Sequence, residues 1–355
     1  EKKKKKKISY QKNMVIFIAV LLLLCLFGIK FRGKNGFEDY MSPKKTGAVK
    51  GVFVIIVVLS HLRQYITLDS SWYNVPFQQF MFFLGQLMVV MFLFYSGYGV
   101  LLGLEKKEGY AKSIITKRVP KVFIHYDIAV VVFFVLGHLT GVKYPIKRLL
   151  LSLVGLDGVG NSVWFMVVII ALYIVTFFAF VLVRRNIIAG TLITTVLSVG
   201  LVVFFYYFRE GQYWWYDTVM CYPLGMWYAI AKPHIDKALL PSFAKWFACT
   251  AVSVAAFIAL RELRFSMNGS RTVFIFEALM FALVIALASM RISIDNPILC
   301  WFGKRVFGIY ILQRIPMIVL SYFGLNGKPF LFSAACFTIT IVLAEFFERM
   351  TDKLD

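Results

Sequence analysis

The feature that most constrains this 355-residue chain is a succession of separate apolar runs, many of them roughly 18 to 25 residues long. As a helix, a run of that length crosses the hydrocarbon core of a bilayer while satisfying its own backbone hydrogen bonds. The composition agrees, because 60% of the residues are hydrophobic and only 16% are charged. We therefore predict an all-α fold, a polytopic integral membrane bundle of about ten core transmembrane helices plus an N-terminal anchor helix.

Ten segments are candidates for the core helices. They are residues 51–67, 79–104, 119–140, 162–183, 187–207, 213–231, 242–260, 272–290, 298–320 and 329–347. Residues 141–161 contain an apolar stretch that is bounded by glycines and too short to cross a bilayer. We expect that segment to be interfacial or re-entrant.

The N-terminus, EKKKKKKISYQKN, precedes an apolar stretch from Met14 to Ile29 in a pattern similar to a signal peptide. No small-residue cleavage site follows, so we interpret this stretch as an uncleaved anchor helix. The chain then divides into a basic tail, anchor and loop (1–45), a membrane domain (46–347) and a short C-terminal tail (348–355).

Basic residues set the predicted orientation, because cytoplasmic loops are enriched in lysine and arginine. The loop from Glu105 to Lys121 holds six basic residues and is expected inside, whereas the loop 68–78 has one acid and no base. Alternation places these further parts inside: residues 30–50, Arg184 and Arg185, Lys232 and Lys237, and the C-terminus. If Met14–Ile29 spans the membrane, the N-terminal lysine run lies outside, which is contrary to the enrichment of basic residues on the cytoplasmic side. Either that helix lies along the inner surface or the tail is an exception.

The net charge of +21 would indicate nucleic acid in a soluble protein. Here the positive charge collects in the loops between spans, so we expect a lipid bilayer and no nucleic acid as partner. The five cysteines occur singly, and no group of histidines and acids has metal-ligand spacing. We therefore expect no metal. The sequence does not indicate an oligomeric state.

Several polar residues occur within the apolar segments, where a charge costs about 2.5–3.5 kcal/mol. The stretch KGVFVIIVVLSHLRQY begins with Lys50 at the inner face, and His61 follows roughly 16 Å deeper. By the same count, five other residues lie in the outer half of the membrane: Arg63, Asp217, Glu277, Gln313 and Arg314. This shared depth predicts a polar cavity open to the outside, with His61 at its floor. The alternative is that these groups simply pair and hold helices together.

Basic residues also gather at the predicted inner face. They are Lys50, Lys117, Arg118, Lys121, Lys304 and Arg305. A polyanion such as a pyrophosphate suits such a cluster, although ordinary solvated positive-inside charge remains the alternative for each residue. His125 and Asp127 lie just below and either pair with this cluster or polarise something bound there.

Six motifs resemble, in order, those of the membrane acyltransferase-3 family, over roughly residues 46–347. They are KGVFVIIVVLSH, FFLGQLMVVMFLFYSGYGVLL, KRVPKVF, NSVWFMVVIIALY, YPLGMW and FGKRVFGIYILQ. Three positions depart from the family pattern. Lys50 and Lys121 each replace an arginine, and Gln313 stands where many members have a histidine.

The resemblance implies transfer of an acyl group, usually acetyl, from cytosolic acyl-CoA to a hydroxyl of a cell-envelope sugar or polysaccharide at the plasma (inner) membrane. In that scheme the inner basic residues bind the CoA phosphates, and His61 is the general base or an acyl relay. Asp217 and Glu277 are the other candidate catalytic residues, and either of them orients the imidazole or binds sugar hydroxyls. The candidate substrate contacts are Arg63, Ser96, Trp164, Tyr310, Gln313 and Arg314.

Two other classes of function remain open. One is a transporter or flippase of a saccharide or lipid-linked intermediate. Loss of the basic cluster would favour this class, and so would inverted repeats with broken helices. The sequence shows neither feature. The other is a non-catalytic membrane partner of an envelope enzyme, which would tolerate changes at His61.

Overall fold

The computed structural model describes residues 14–183 and 186–351. The expectations for the lysine run, for Arg184 and Arg185, and for the last four residues concern positions outside these ranges. The first eight helices are α1 (Met14–Leu26), α2 (Pro43–Leu62), α3 (Val75–Leu84), α4 (Val90–Lys106), α5 (Tyr110–Ser113), α6 (Val119–Leu139), α7 (Ile146–Leu153) and α8 (Trp164–Leu182). The next eight are α9 (Ile187–Phe208), α10 (Cys221–Leu239), α11 (Phe243–Ser266), α12 (Arg271–Ser289), α13 (Pro297–Lys304), α14 (Val306–Leu312), α15 (Arg314–Tyr322) and α16 (Pro329–Thr351).

Short irregular segments connect some of these helices. They are the 3₁₀ turns Gly85–Val89, Tyr213–Trp215 and Leu325–Gly327 and the π-helical turn Ile114–Arg118. Two three-residue strands, β1 (Ile29–Phe31) and β2 (Ile292–Ile294), pair antiparallel with Lys30 opposite Ser293.

Eight helical stretches in the described ranges are long and apolar enough to cross a membrane. They are α2, α3 with α4, α5 with α6, α8, α9, α11, α12 and α16. The other two predicted core spans correspond to α10, whose C-terminal half carries Lys232 and Asp236, and to the interrupted run α13–α15. The protein is therefore the polytopic helical membrane bundle that the sequence predicts.

The anchor helix α1 packs lengthwise against the bundle. Phe17 contacts the Phe330 and Phe337 rings of α16 at centroid distances of 5.6 and 6.1 Å. At the other end of α1, Asn296 donates hydrogen bonds to the carbonyls of Leu24 and Phe27. With 13 residues, α1 is about 20 Å long. It thus lies alongside the bundle rather than flat across one end of it.

Helix α2 is the central element, since every residue from Phe53 to Leu59 is buried. It begins at a Ser42 cap with Pro43 in the first turn. Glycines allow α13 to cross α2 closely. A Cβ added at Gly51 would lie 1.9 Å from the Leu299 carbonyl oxygen, and one at Gly303 would lie 1.8 Å from that of Gly47.

A second close crossing joins α4 and α10. A Cβ at Gly97 would lie 2.0 Å from the Tyr222 carbonyl oxygen, and one at Gly225 would lie 2.0 Å from that of Phe94. Small residues that allow backbones to approach are the usual device for packing membrane helices. The two crossings fix the helices that surround His61.

Two of the predicted spans are interrupted, which the sequence did not indicate. The second span is interrupted at Gly85–Val89, where Gly85 has φ +45°. The ninth span is interrupted twice, between Lys304 and Val306 and between Leu312 and Arg314. Pro316 accounts for the interruption after Leu312, because it has no N–H to donate to the Leu312 carbonyl and its ring crowds that group. This interruption and the one at Gly85 lie next to the cavity described below.

The short apolar segment after the third span forms α7 and an irregular loop, residues 154–163. Helix α7 has eight residues, far fewer than a bilayer crossing requires. Its apolar side chains Ile146 and Leu150 are exposed. The expectation of a segment that does not cross the membrane agrees with this geometry.

Candidate active site

His61 lies at the wall of a cavity of about 620 Å³, which we call the His61 cavity. A side lobe of about 340 Å³ shares His61, Gln64, Gln86, Trp164 and Tyr213 with it. The main lobe is lined further by the loop 156–163 and by Arg209, Gln212, Trp214, Trp215 and Arg314. The side lobe is lined further by residues of α2 and α3, by Arg63, by the turn Gly85–Val89, and by Asp217, Arg264, Arg271, Phe274 and Tyr310.

The polar groups around His61 come from the break between α14 and α15. The Tyr310 ring lies 6.3 Å from the imidazole, and Gln313 and Arg314 are the side chains that act on it electrostatically. Nδ1 of His61 and Oε1 of Gln313 are buried, and neither has a well-formed hydrogen bond within the described ranges. Such atoms are suited to binding a polar group of a substrate.

Arg314 is held in place by three neutral groups. Its Nε donates to Ser162 Oγ at 2.9 Å, and one terminal nitrogen donates to Gln64 Oε1 at 2.8 Å. The other terminal nitrogen lies 3.5 Å from the Tyr65 hydroxyl. The break in the helix thus places a guanidinium beside His61 and fixes its orientation.

Aromatic side chains form one wall of the cavity. Trp164 begins α8, and Tyr213, Trp214 and Trp215 form the 3₁₀ turn that follows α9. The Arg209 guanidinium lies 4.2 Å from the centre of the Trp215 ring and donates to the Leu156 carbonyl. Aromatic faces beside hydrogen-bonding groups can bind both the apolar and the polar surfaces of a sugar.

The loop 154–163 is ordered by hydrogen bonds rather than by regular structure. Arg148 Nε donates to the Gly158 carbonyl at 2.9 Å, and Asn161 accepts from the Val159 N–H at 3.0 Å. Gly155 and Gly160 have positive φ values of 74° and 97°, which glycine adopts without strain. These contacts hold the lining residues between Asp157 and Val163 against the cavity.

The side lobe contains Asp217, which is fully buried. It lies in the loop before α10, outside the helical spans, and its Oδ2 is 3.5 Å from Arg271. Burial raises the pKa of Asp217 to about 7, although Arg271 opposes this shift. A carboxyl with that pKa can hold or release a proton near neutral pH.

The structure places two of the predicted site residues away from this cavity. Glu277 is buried behind the side lobe, 2.9 Å from Arg264 Nε and 3.7 Å from Arg261. Ser96 is hydrogen-bonded to the Tyr173 hydroxyl at 3.1 Å. The depth count placed Glu277 in the outer half of the membrane but could not show that its helix turns it towards Arg261 and Arg264 of α11. His61, Arg63, Trp164, Asp217, Tyr310 and Arg314 line the cavity, and Gln313 adjoins it.

A second cavity, of about 270 Å³, lies at the other end of the bundle, and we call it the Arg118 cavity. Arg118 and Lys121 line it together with Tyr173, with Phe307 and Gly308 of α14, and with the end of α16. His125 also lines it and packs between the rings of Phe307 and Phe347 at 5.8 and 5.4 Å.

The other four predicted inner basic residues do not line this cavity. Lys117 and Lys304 are exposed, and Lys50 is half-buried in α2. Arg305 forms ion pairs with Glu345 at 2.7 Å and Glu348 at 3.5 Å and stacks on Trp301. The acids on α16 that bind Arg305 are distant in sequence, so the basic motif alone gave no sign of them.

Helix α14 separates the two cavities. Gly308 lines the Arg118 cavity, Tyr310 lines the side lobe of the His61 cavity, and Gln313, which acts on His61, lies five residues beyond Gly308. Five residues of helix amount to about 7.5 Å along its axis. The residues through which this helix borders the two cavities are therefore close together compared with the thickness of a bilayer.

Sequence reasoning missed several lining residues, including Gln64, Gln86, Arg209, Gln212 and the loop 156–163. Gln86 reaches the cavity only because the second span breaks at Gly85. The signal for the loop was its polar content, Asp157, Asn161 and Ser162, in a segment too short to cross the membrane. Over the described residues, no group of three or more histidines, cysteines or acids could hold a metal ion.

Comparison with known families agrees with this architecture. The family model of the acyltransferase-3 family, described as an acyltransferase domain, matches residues 47–347. No curated protein and no solved structure matches the chain. The matched range runs from the start of α2 into α16 and includes every residue of both cavities except Glu348 and Thr351. This multi-pass membrane protein therefore belongs to the acyltransferase-3 family.

Proposed function

We propose that this membrane acyltransferase moves an acyl group, acetyl in the simplest case, from cytosolic acyl-CoA to a hydroxyl of a cell-envelope sugar at the plasma membrane. The observation that carries the proposal is the pairing of two cavities across α14. One has exposed basic residues at its edge, and the other holds His61 among aromatic and polar groups.

The Arg118 cavity is suited to the donor. Arg118 and Lys121 are both exposed, so they can contact phosphates outside a cavity that is itself too small for the whole cofactor. Arg118 lies 5.4 and 5.9 Å from the Tyr110 and Tyr173 rings, which limit its movement. A pantetheine arm of about 15–20 Å exceeds the separation of the cavities along α14.

His61 can then promote the transfer as a general base. The imidazole takes the proton of the acceptor hydroxyl while that oxygen attacks the thioester carbonyl. The new C–O bond forms, the C–S bond breaks, and the thiolate leaving group takes the proton from the imidazolium. In the relay variant the imidazole of His61 first attacks the thioester carbonyl, the C–S bond breaks, and the thiolate leaves with the imidazole proton. The acceptor hydroxyl then attacks the acyl-imidazole, the C–N bond breaks, and the hydroxyl proton returns to the imidazole.

The test is transfer of labelled acetyl groups from acetyl-CoA by the purified protein in lipid vesicles, with His61→Ala compared with wild type. We expect a loss of about 10²- to 10⁴-fold, the usual contribution of a general base. His234→Ala is the matched control, since His234 is exposed on α10, and it should keep wild-type activity. Equal transfer by wild type and His61→Ala would refute the role of His61.

A transporter or flippase is the second candidate, favoured by one specific observation. The helices that border the His61 cavity are broken at Gly85–Val89 and between Leu312 and Arg314, and broken helices mark substrate sites in transporters. Vesicles that accumulate labelled saccharide without acylating it would support transport. Acylation dependent on His61 would support transfer.

A further inference from the structure

The charged residues that line the His61 cavity are mostly arginines. In the described ranges, the two lobes together expose five of them, Arg63, Arg209, Arg264, Arg271 and Arg314, to the cavity. The carboxylates of the lining are Asp157 and Asp217. A cavity that bound only neutral sugars would not need this excess of positive charge.

Part of this charge is neutralised inside the protein. Arg264 pairs with Glu277 at 2.9 Å, and Arg271 lies 3.5 Å from Asp217. Asp157 pairs with Arg148 at 3.4 Å and also acts electrostatically on Arg209 from a greater distance. Within the described ranges, none of Arg63, Arg209 and Arg314 has a carboxylate within the 4 Å of an ion pair.

Arg209 and Arg314 are both oriented by neutral groups. Arg314 is held by Ser162, Gln64 and Tyr65. Arg209 donates to the carbonyls of Gly155 and Leu156 and lies over the Trp215 ring. A guanidinium held in this way keeps its full charge and loses little entropy when it binds an anion.

The Arg209 guanidinium lies over the Trp215 ring, and Arg314 lines the same cavity as Trp164, Trp214 and Trp215. We propose that the ligand of the His61 cavity is a carbohydrate that carries an anionic group, a carboxylate or a phosphate, which Arg314 and Arg209 bind while the rings contact the sugar. This inference rests on the proposed function in naming that carbohydrate as the acyl acceptor. It adds the charge of the acceptor, which the family membership does not specify.

Binding of fluorescent oligosaccharides to the full-length protein in nanodiscs tests this inference. The carboxylate arm compares a tetrasaccharide of alternating glucuronate and N-acetylglucosamine with neutral chitotetraose. The phosphate arm compares maltotetraose monophosphate with maltotetraose. In at least one arm we expect the anionic probe to bind about tenfold more tightly, the effect of one additional charge-assisted hydrogen bond, with the preference falling as salt is added.

Arginine variants locate the source of this preference. Arg314→Gln and Arg209→Gln should each weaken binding of the anionic probe about tenfold and leave the neutral probe unchanged. Arg349→Gln is the control, because this substitution removes the same charge at a distant position. Arg349 is exposed at the end of α16, on the side of the Arg118 cavity. Two variants are used so that a folding defect in one does not decide the outcome.

The result separates this inference from the proposed function. His61→Ala should keep the preference for the anionic probe while losing acyl transfer. Equal binding of anionic and neutral probes in both arms, or a preference unaffected by both arginine variants, overturns the inference even if transfer depends on His61. A preserved preference with transfer that is independent of His61 overturns the catalytic role of His61 and leaves the anionic ligand in place.

Discussion

The crossing of α2 and α13 gives a quantitative prediction, because it fixes the helix that carries His61. A Cβ at position 51 would lie 1.9 Å from the Leu299 carbonyl oxygen, whereas ordinary contact begins near 3.4 Å. In Gly51→Ala the two backbones must therefore separate by about 1.5 Å, or α2 must rotate. Neither backbone can move aside as a flexible side chain would.

We expect Gly51→Ala to destabilise the protein by about 1–3 kcal/mol, the usual cost of overpacking. Alanine favours the helix over glycine by about 0.5–1 kcal/mol, which offsets only part of this cost. His61 lies ten residues further along the same helix, so the shift also changes its position relative to Tyr310 and Gln313. A misplacement of about 1 Å can reduce a catalysed rate about 10²-fold.

The assay is thermal unfolding of the detergent-solubilised protein, followed by acyl transfer in vesicles. Gly47→Ala is the control, since Gly47 is buried on the same helix but an added Cβ meets no atom within 4 Å. Gly47→Ala should be as stable as wild type or more so. The reasoning is refuted if Gly51→Ala unfolds at the same temperature as Gly47→Ala and wild type.

Three further predictions concern other parts of the molecule. Replacing Glu277 by alanine leaves Arg264 and Arg261 buried without their carboxylate, so we expect the free energy of unfolding to fall by about 3–5 kcal/mol. The double variant Arg264→Ala, Glu277→Ala should be at least as stable as Glu277→Ala alone. The hydrogen bond from Lys30, and after it the one from Lys45, lowers the pKa of Asp295 from 3.8 to about 2. The stabilisation that the ionised Asp295 provides should be complete above about pH 5 and lost as the pH falls towards 2. The unfolding temperature of Asp295→Asn should therefore change less between pH 6 and pH 3 than that of wild type. Gln313→Ala removes the amide beside His61 and should slow acyl transfer about tenfold with little change in thermal stability. An unchanged rate of transfer would show that the amide does not position the imidazole.

The fold followed from the sequence because apolar runs of membrane-crossing length allow little besides helices. What the sequence could not show was where those helices break. Gly85 and Pro316 are ordinary residues of membrane helices in a sequence, and only the folded chain shows that the breaks bring Gln86 and Arg314 to the same cavity.

The sequence predicted only part of the candidate site, because it shows the position of a residue along a helix but not the direction of its side chain. Counting residues along a helix gives depth, which was enough to group His61, Asp217 and Arg314 at one level. It does not give the direction in which a side chain points. Glu277 and Arg305 therefore seemed available on sequence grounds, whereas in the structure they are bound by Arg264 and by two acids of α16.

Mass spectrometry of envelope glycans is the most direct test of the central claim, that the His61 cavity acylates an envelope sugar. Glycans would be extracted from matched cells that contain the wild-type chain, contain His61→Ala at the same level, or lack the chain. The account predicts an added acyl mass on a glycan from wild-type cells only. The same acyl mass in cells with His61→Ala, or its persistence in cells without the chain, would contradict the account.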